Sequence, residues 1–111
     1  MNDRLSGLLD LYKKEPDDSF VIYGIALEYK SIKNYSESEN YFKILIEKDP
    51  NYVPAYMQYA ILKEETNDIL KAKEIFTKGI KIARQKGETH AAQEMEEFLD
   101  ELDWKGSLGN F

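Results

Sequence analysis

The sequence predicts an all-α solenoid of antiparallel helix pairs with about six helices. Apolar residues recur at intervals of three and four through successive stretches, the signature of one buried helical face. Turn and capping residues fall between these stretches. The chain also superposes on itself at one constant shift: Pro16 falls on Pro50, Ile22 on Tyr56, Ala26 on Ala60, Ser38 on Ala72, Phe42 on Phe76 and Leu45 on Gly79.

Composition bounds the function. The chain has 111 residues, a net charge of -6 and 42% hydrophobic residues, the profile of an ordinary globular domain. We expect one domain over residues 1–103 and a flexible tail over 104–111. Cysteine is absent and His90 is the single histidine, so disulfides, thiolate chemistry and thiolate metal sites are excluded. The start has an early acid and no continuous apolar run, which reads as neither signal peptide nor membrane span. A cytoplasmic protein is expected, with no membrane partner. An acidic balance disfavours nucleic acid, which needs basic surface. Charge is uneven: residues 1–18 sum to -2, 19–52 to -1, 53–86 to +3 and 87–111 to -6.

Taken in order, Arg4 to Lys14 places Leu5, Leu8, Leu9, Leu11 and Tyr12 at helical spacing, and Pro16-Asp17-Asp18 stops it. A second helix follows with Val21, Ile22, Ile25, Ala26 and Tyr29 on one face, capped by Asp17 or Asp18. Asn34 suits a left-handed helix end, and Ser36 with Glu39 reads as a capping box. The third helix carries Tyr41, Phe42, Leu45 and Ile46 up to Asp49-Pro50. A fourth, capped by Asn51 with Pro54 in its first turn, presents Ala55, Tyr56, Tyr59, Ala60 and Leu62. After the Asn67-Asp68 turn, Ile69, Ala72, Ile75, Phe76, Gly79, Ile80 and Ala83 mark a fifth helix ending at Gly87. A last helix over 88–102 has an apolar stripe of Ala91, Ala92, Met95, Phe98, Leu99 and Leu102, and acid on its other face.

A helix-turn-helix unit with a period of about 34 residues resembles the tetratricopeptide repeat family, here over Leu5 to about Leu102. Small residues fall where the paired helices must approach, at Ala26, Ala60, Ser38 and Ala72. Aromatic wedges fall at Phe42 and Phe76. The departures are Lys63 where the first repeat has Tyr29, Gly79 where it has Leu45, and Arg84 where it has Pro50. The resemblance implies a half repeat over 4–16, with Leu8 and Leu11 in wedge positions, full repeats over 19–52 and 53–86, and a capping helix over 88–102 in a right-handed superhelical stack. It also places the acidic face of the last helix beside the lysines of the fifth.

The family implies a protein-protein interaction module without catalysis or cofactor. Its concave groove would be lined by Phe20, Tyr23, Leu27 and Lys30 from one helix, and by Pro54, Met57, Gln58, Ile61 and Glu64 from the next. So apolar a set fits a peptide or helix segment; the plainer alternative has Phe20, Leu27 and Ile61 packing on the first helix or the tail. Relatives that grip the C-terminal carboxylate of chaperone tails use Lys and Asn where this chain has Tyr23 and Leu27. They use another Asn at Gln58 and basic residues at Glu88 and Ala92, so that clamp is not expected. His90 and Glu94 read as a surface pair, the adjacent acids Glu96-Glu97 and Asp100-Glu101 as a solvated face, and no metal site is expected. A rival reading is a homodimer, formed through the uncovered first helix or through Trp104, Leu108 and Phe111.

Overall fold

The computed structural model describes the backbone of residues 3–109 and the side chains of residues 3–105. Six helices make up this span: α1 (Asp3–Lys14), α2 (Ser19–Ser31), α3 (Tyr35–Lys48), α4 (Val53–Glu65), α5 (Ile69–Gln85) and α6 (Thr89–Gly109). There is no strand among the described residues. The helices gather into two compact units, Met1–Ala55 and Tyr56–Phe111, with the division falling inside α4.

The turns explain the repeat period. Lys33 and Asn67 have φ of 63° and 65°, which puts both in the left-handed region that ends helices. At the first turn the Asn34 amide donates to the Tyr29 carbonyl at 2.9 Å; at the second the Asp68 amide donates to that of Lys63 at 2.8 Å. Each residue then caps the next helix. The Asn34 side chain accepts from the Glu37 amide at 3.3 Å, and the Asp68 side chain from the Lys71 amide at 3.3 Å. One turn of backbone, repeated at the shift seen in the sequence, closes one helix and opens another.

This geometry revises two expectations. The left-handed residue of the first turn is Lys33, and Asn34, at φ -88°, is the N-cap. Ser36 lies inside α3, so the expected capping box is replaced by Asn34. Gly87, at φ 74°, ends α5 as anticipated, with the Glu88 amide donating to the Ala83 carbonyl at 2.8 Å.

In the first unit, Leu5, Val21 and Ile25 form a buried cluster flanked by Leu8, Leu9, Tyr12, Tyr29 and Tyr41. The tyrosines interlock: Tyr41 meets Tyr12 edge-on at 5.6 Å and stacks on Tyr29 at 5.7 Å, arrangements that aromatic quadrupoles favour. Ser38, fully buried, donates its hydroxyl to the Ala26 carbonyl at 2.7 Å. This joins the two small positions where α2 and α3 approach. Lys48 ties the end of α3 to the turn after α1, donating to the Pro16 carbonyl at 2.6 Å and pairing with Asp17 at 2.8 Å. Leu8 and Leu11 do not behave as full wedges. Leu8 is half-buried and Leu11 is 48% exposed, whereas Phe42 and Leu45 are fully buried. The buried leucine of α1 is Leu5, because α1 lies mainly against α2, where Leu5 joins Val21 and Ile25.

In the second unit, Tyr56, Tyr59, Ala60, Leu62, Ala72, Phe76, Ala83, Ala92, Met95 and Leu102 are buried. Phe76 stacks on Phe98 at 5.5 Å and 7° between planes. Lys73 pairs with Asp103 at 2.9 Å and Arg84 with Glu96, so the acidic α6 does meet the basic α5.

The last helix runs past the expected end at Leu102 to Gly109, so residues 104–109 are helical where the sequence predicts an aperiodic tail. Its continuation is supported by Lys105, which lies 3.4 Å from Glu101 one turn back and 3.9 Å from Glu64. Trp104 is 64% exposed and does not dock. The side chains of Leu108 and Phe111 lie outside the described residues. No helix of the described residues is long and apolar enough to cross a membrane.

Candidate partner-binding surface

Phe20, Tyr23, Leu27 and Lys30 recur at three, four and three along α2, which aligns them on one side of the helix. Phe20 stands in the first turn, where the Asp18 side chain accepts from the Phe20 and Val21 amides at 3.0 and 3.3 Å. Its ring is 74% exposed. It is therefore not spent on packing, and the plainer alternative fails for this residue. Tyr23, Leu27 and Lys30 are half-buried.

Tyr23 leans on Tyr52, with ring centroids 5.4 Å apart and planes at 60°. Around them lie two carboxylates. Asp49 accepts from the Ser19 hydroxyl at 2.7 Å, and Asp18 holds the α2 cap. Burial pushes the Tyr23 phenol above its usual 10.0, with Tyr52 adding to the shift. Burial also raises Tyr52, followed by the negative fields of Asp49 and then Asp18. The Tyr52 hydroxyl thus senses both acids.

On α4, Met57, Gln58, Ile61 and Glu64 are each half-buried and Pro54 is exposed. Glu64 lines a cleft of about 320 Å³ shared with Asn67, Ile69, Leu102 and Lys105. Sequence reasoning misses Tyr52, Asp49 and Asp18 as surface neighbours of the stripe. Tyr52 and Asp49 fall in the linker between α3 and α4, where helical periodicity carries no information, and Asp18 reads only as a cap. The cleft has no sequence signal either, since its walls come from a turn and three different helices. His90 and Glu94 form the expected surface pair, 2.9 Å apart. No group of three His, Asp or Glu suited to a metal occurs among the described residues.

No protein-family model matches the chain. Two curated relatives do. A TPR repeat-containing protein of Pseudomonas aeruginosa is 22% identical over 99 residues, covering 89% of this chain and 94% of its own length. The Sol locus transcriptional repressor of Clostridium acetobutylicum is 32% identical over 62 residues, 56% of this chain; the match spans only 20% of the repressor.

Among solved structures, a tetratricopeptide repeat domain protein from Salinibacter ruber superposes with a TM-score of 0.76 at 28% identity, covering 79% of this chain and 89% of that one. The fold is shared with PcrH, solved in complex with the chaperone binding region of PopD, at a TM-score of 0.87 and 14% identity over 94% of this chain and 79% of that one. It is shared too with the TPR2B domain of yeast Sti1 in its pHsp70 complex, at a TM-score of 0.84 and 19% identity over 91% and 81%. Joined with turns and caps that repeat at one constant shift, these likenesses show an all-α fold of the tetratricopeptide repeat type and support the resemblance to that family.

Proposed function

We propose that the chain is a non-catalytic protein-protein interaction module, and that two helix faces, that of α2 (Phe20, Tyr23, Leu27 and Lys30) and that of α4 (Met57, Gln58, Ile61 and Glu64), each offer surface to an apolar peptide or helix segment. The observation that carries this reading is Phe20. A phenylalanine left 74% exposed at the head of a stripe that continues through Tyr23 and Leu27 offers apolar surface that the core of its own unit does not use. PcrH and the Sti1 domain, which share the fold, were each solved in complex, with a PopD region and with pHsp70, which supports the same reading.

The test is a crosslinking pull-down with the wild type and with Tyr23→Glu/Met57→Glu. The variant should lose its partner while its helical circular dichroism stays intact, since both side chains are only half-buried. Undiminished capture by the folded variant overturns the assignment.

A further inference from the structure

We infer that the Phe20 end of the α2 stripe is a seat for a cationic side chain, so that the segment bound there carries an arginine or lysine beside its apolar residues. This deepens the interaction reading above and rests on it.

Two kinds of group meet at this end. One is aromatic: exposed Phe20 and the Tyr23–Tyr52 pair, with centroids 5.4 Å apart. Their ring faces attract a guanidinium or ammonium. The other is anionic: Asp18 and Asp49, whose fields both reach the Tyr52 hydroxyl. Each carboxylate is held in place through one oxygen. Asp18 Oδ1 accepts the two cap amides, and Asp49 Oδ2 accepts the Ser19 hydroxyl. The second oxygen of each keeps its acceptor capacity toward an incoming donor. Planar guanidinium suits this combination, because it stacks on rings and donates to carboxylates at once.

Two basic groups of the same unit, Lys48 and Arg4, are engaged elsewhere. Lys48 is committed to Asp17 at 2.8 Å and to the Pro16 carbonyl, with its ammonium 5.9 Å from the Tyr12 ring. Arg4 pairs with Glu28 at 3.1 Å. Lys30 stands ten positions along α2 from Phe20, about 15 Å by helical rise, beyond a Debye length at physiological salt. The partner chemistry that complements this end is therefore basic and apolar together.

The experiment uses the full chain and three blocked twelve-residue peptide pools, each with fixed Leu, Ile and Phe positions and one position set to Arg, Gln or Glu. Fluorescence anisotropy gives the apparent affinity of each pool. The Arg pool should bind about tenfold tighter than the Glu pool, and added salt should shrink the difference. The Asp18→Asn/Asp49→Asn variant should lose most of the Arg preference and keep only the part due to the rings. Asparagine still caps a helix and still accepts from Ser19, so this variant keeps its fold.

Equal binding of the three pools to the wild type, lost on Tyr23→Glu/Met57→Glu, would overturn the cation seat and leave the interaction surface standing. An Arg preference undiminished in the Asn variant would overturn it too, by assigning the preference to the chain's net charge. Failure of every pool to bind would remove the apolar surface and the seat together.

Discussion

Gly79 gives the sharpest test of how α4, α5 and α6 meet in the second unit. A Cβ added there would lie 2.7 Å from Tyr56 Cβ and 2.7 Å from Met95 Sδ, where apolar atoms normally rest about 3.5 to 4.0 Å apart. The methionine can swing aside. Tyr56 Cβ cannot, because it is fixed to the α4 backbone, so Gly79→Ala requires the two helices to separate by roughly 1 Å. Overpacking of this kind costs about 1 to 3 kcal/mol. Alanine returns about 1 kcal/mol through its higher helix propensity, so we expect a net loss of up to about 2 kcal/mol.

Two other glycines calibrate the measurement. Gly7 has nothing within 4 Å of the added carbon, and Gly24 meets only the side chain of Leu8, its methyls at 3.3 and 3.4 Å. Gly7→Ala should therefore stabilise by up to about 1 kcal/mol, and Gly24→Ala should lie between neutral and that gain. Thermal melts followed by circular dichroism read the order directly, at roughly 4 °C or more per kcal/mol. A Gly79→Ala protein that melts as high as Gly7→Ala would refute the close approach of α5 to Tyr56.

Ser38→Ala removes the buried hydroxyl bond to the Ala26 carbonyl, 2.7 Å long, and should cost about 0.5 to 1.5 kcal/mol in denaturant melts. Ser38→Leu should cost more, because it forces bulk between α2 and α3. Alkaline stability follows from the tyrosines. Burial raises Tyr23, Tyr41 and Tyr52 above their usual 10.0, so the unfolded chain releases these protons first. Their contribution is fully present below about pH 10 and is lost as pH rises from there through the folded values. Melting temperature should fall over that window, and Tyr41→Phe should flatten the fall.

Much of this architecture is legible in sequence because it depends on backbone chemistry. A left-handed residue followed by a side-chain cap demands few residue types, and Asn34 and Asp68 answer that demand one period apart. Which residue of the pair is left-handed is less legible. Lys33 adopts φ 63° at a cost that no propensity anticipates, because Asn34 is taken by the cap. The end of α6 is hard to read for a related reason. Gly106 suggests a stop, but the helix continues to Gly109, and Asp103 and Lys105 make ion pairs that act along it and onto its neighbours. The surface is half legible. Periodicity identifies Phe20, Tyr23 and Leu27 as one stripe, yet it cannot bring Tyr52 and Asp49 out of a linker to stand beside them.

The second repeat shows why the family likeness is strict in register and loose in residue identity. Where the first repeat has Leu45, fully buried, the second has Gly79, which lacks a side chain altogether. The missing volume is supplied by Met95 of α6, whose sulfur reaches the glycine, and by Tyr56, whose Cβ closes on it. An unbranched thioether is suited to such an irregular notch. Phe98 then lies flat on Phe76 one turn further along α6. Volume in this unit is thus satisfied jointly by α4, α5 and α6, so a position that looks degenerate alone is constrained once its partner is known. Backbone turns have no such partner to share the constraint, and they repeat faithfully. Gly79 and Met95 should accordingly behave as a coupled pair. Shortening Met95 relieves one of the two short contacts made by the added Cβ and leaves the contact with Tyr56, so the cost of Gly79→Ala should shrink in a Met95→Ala background without vanishing.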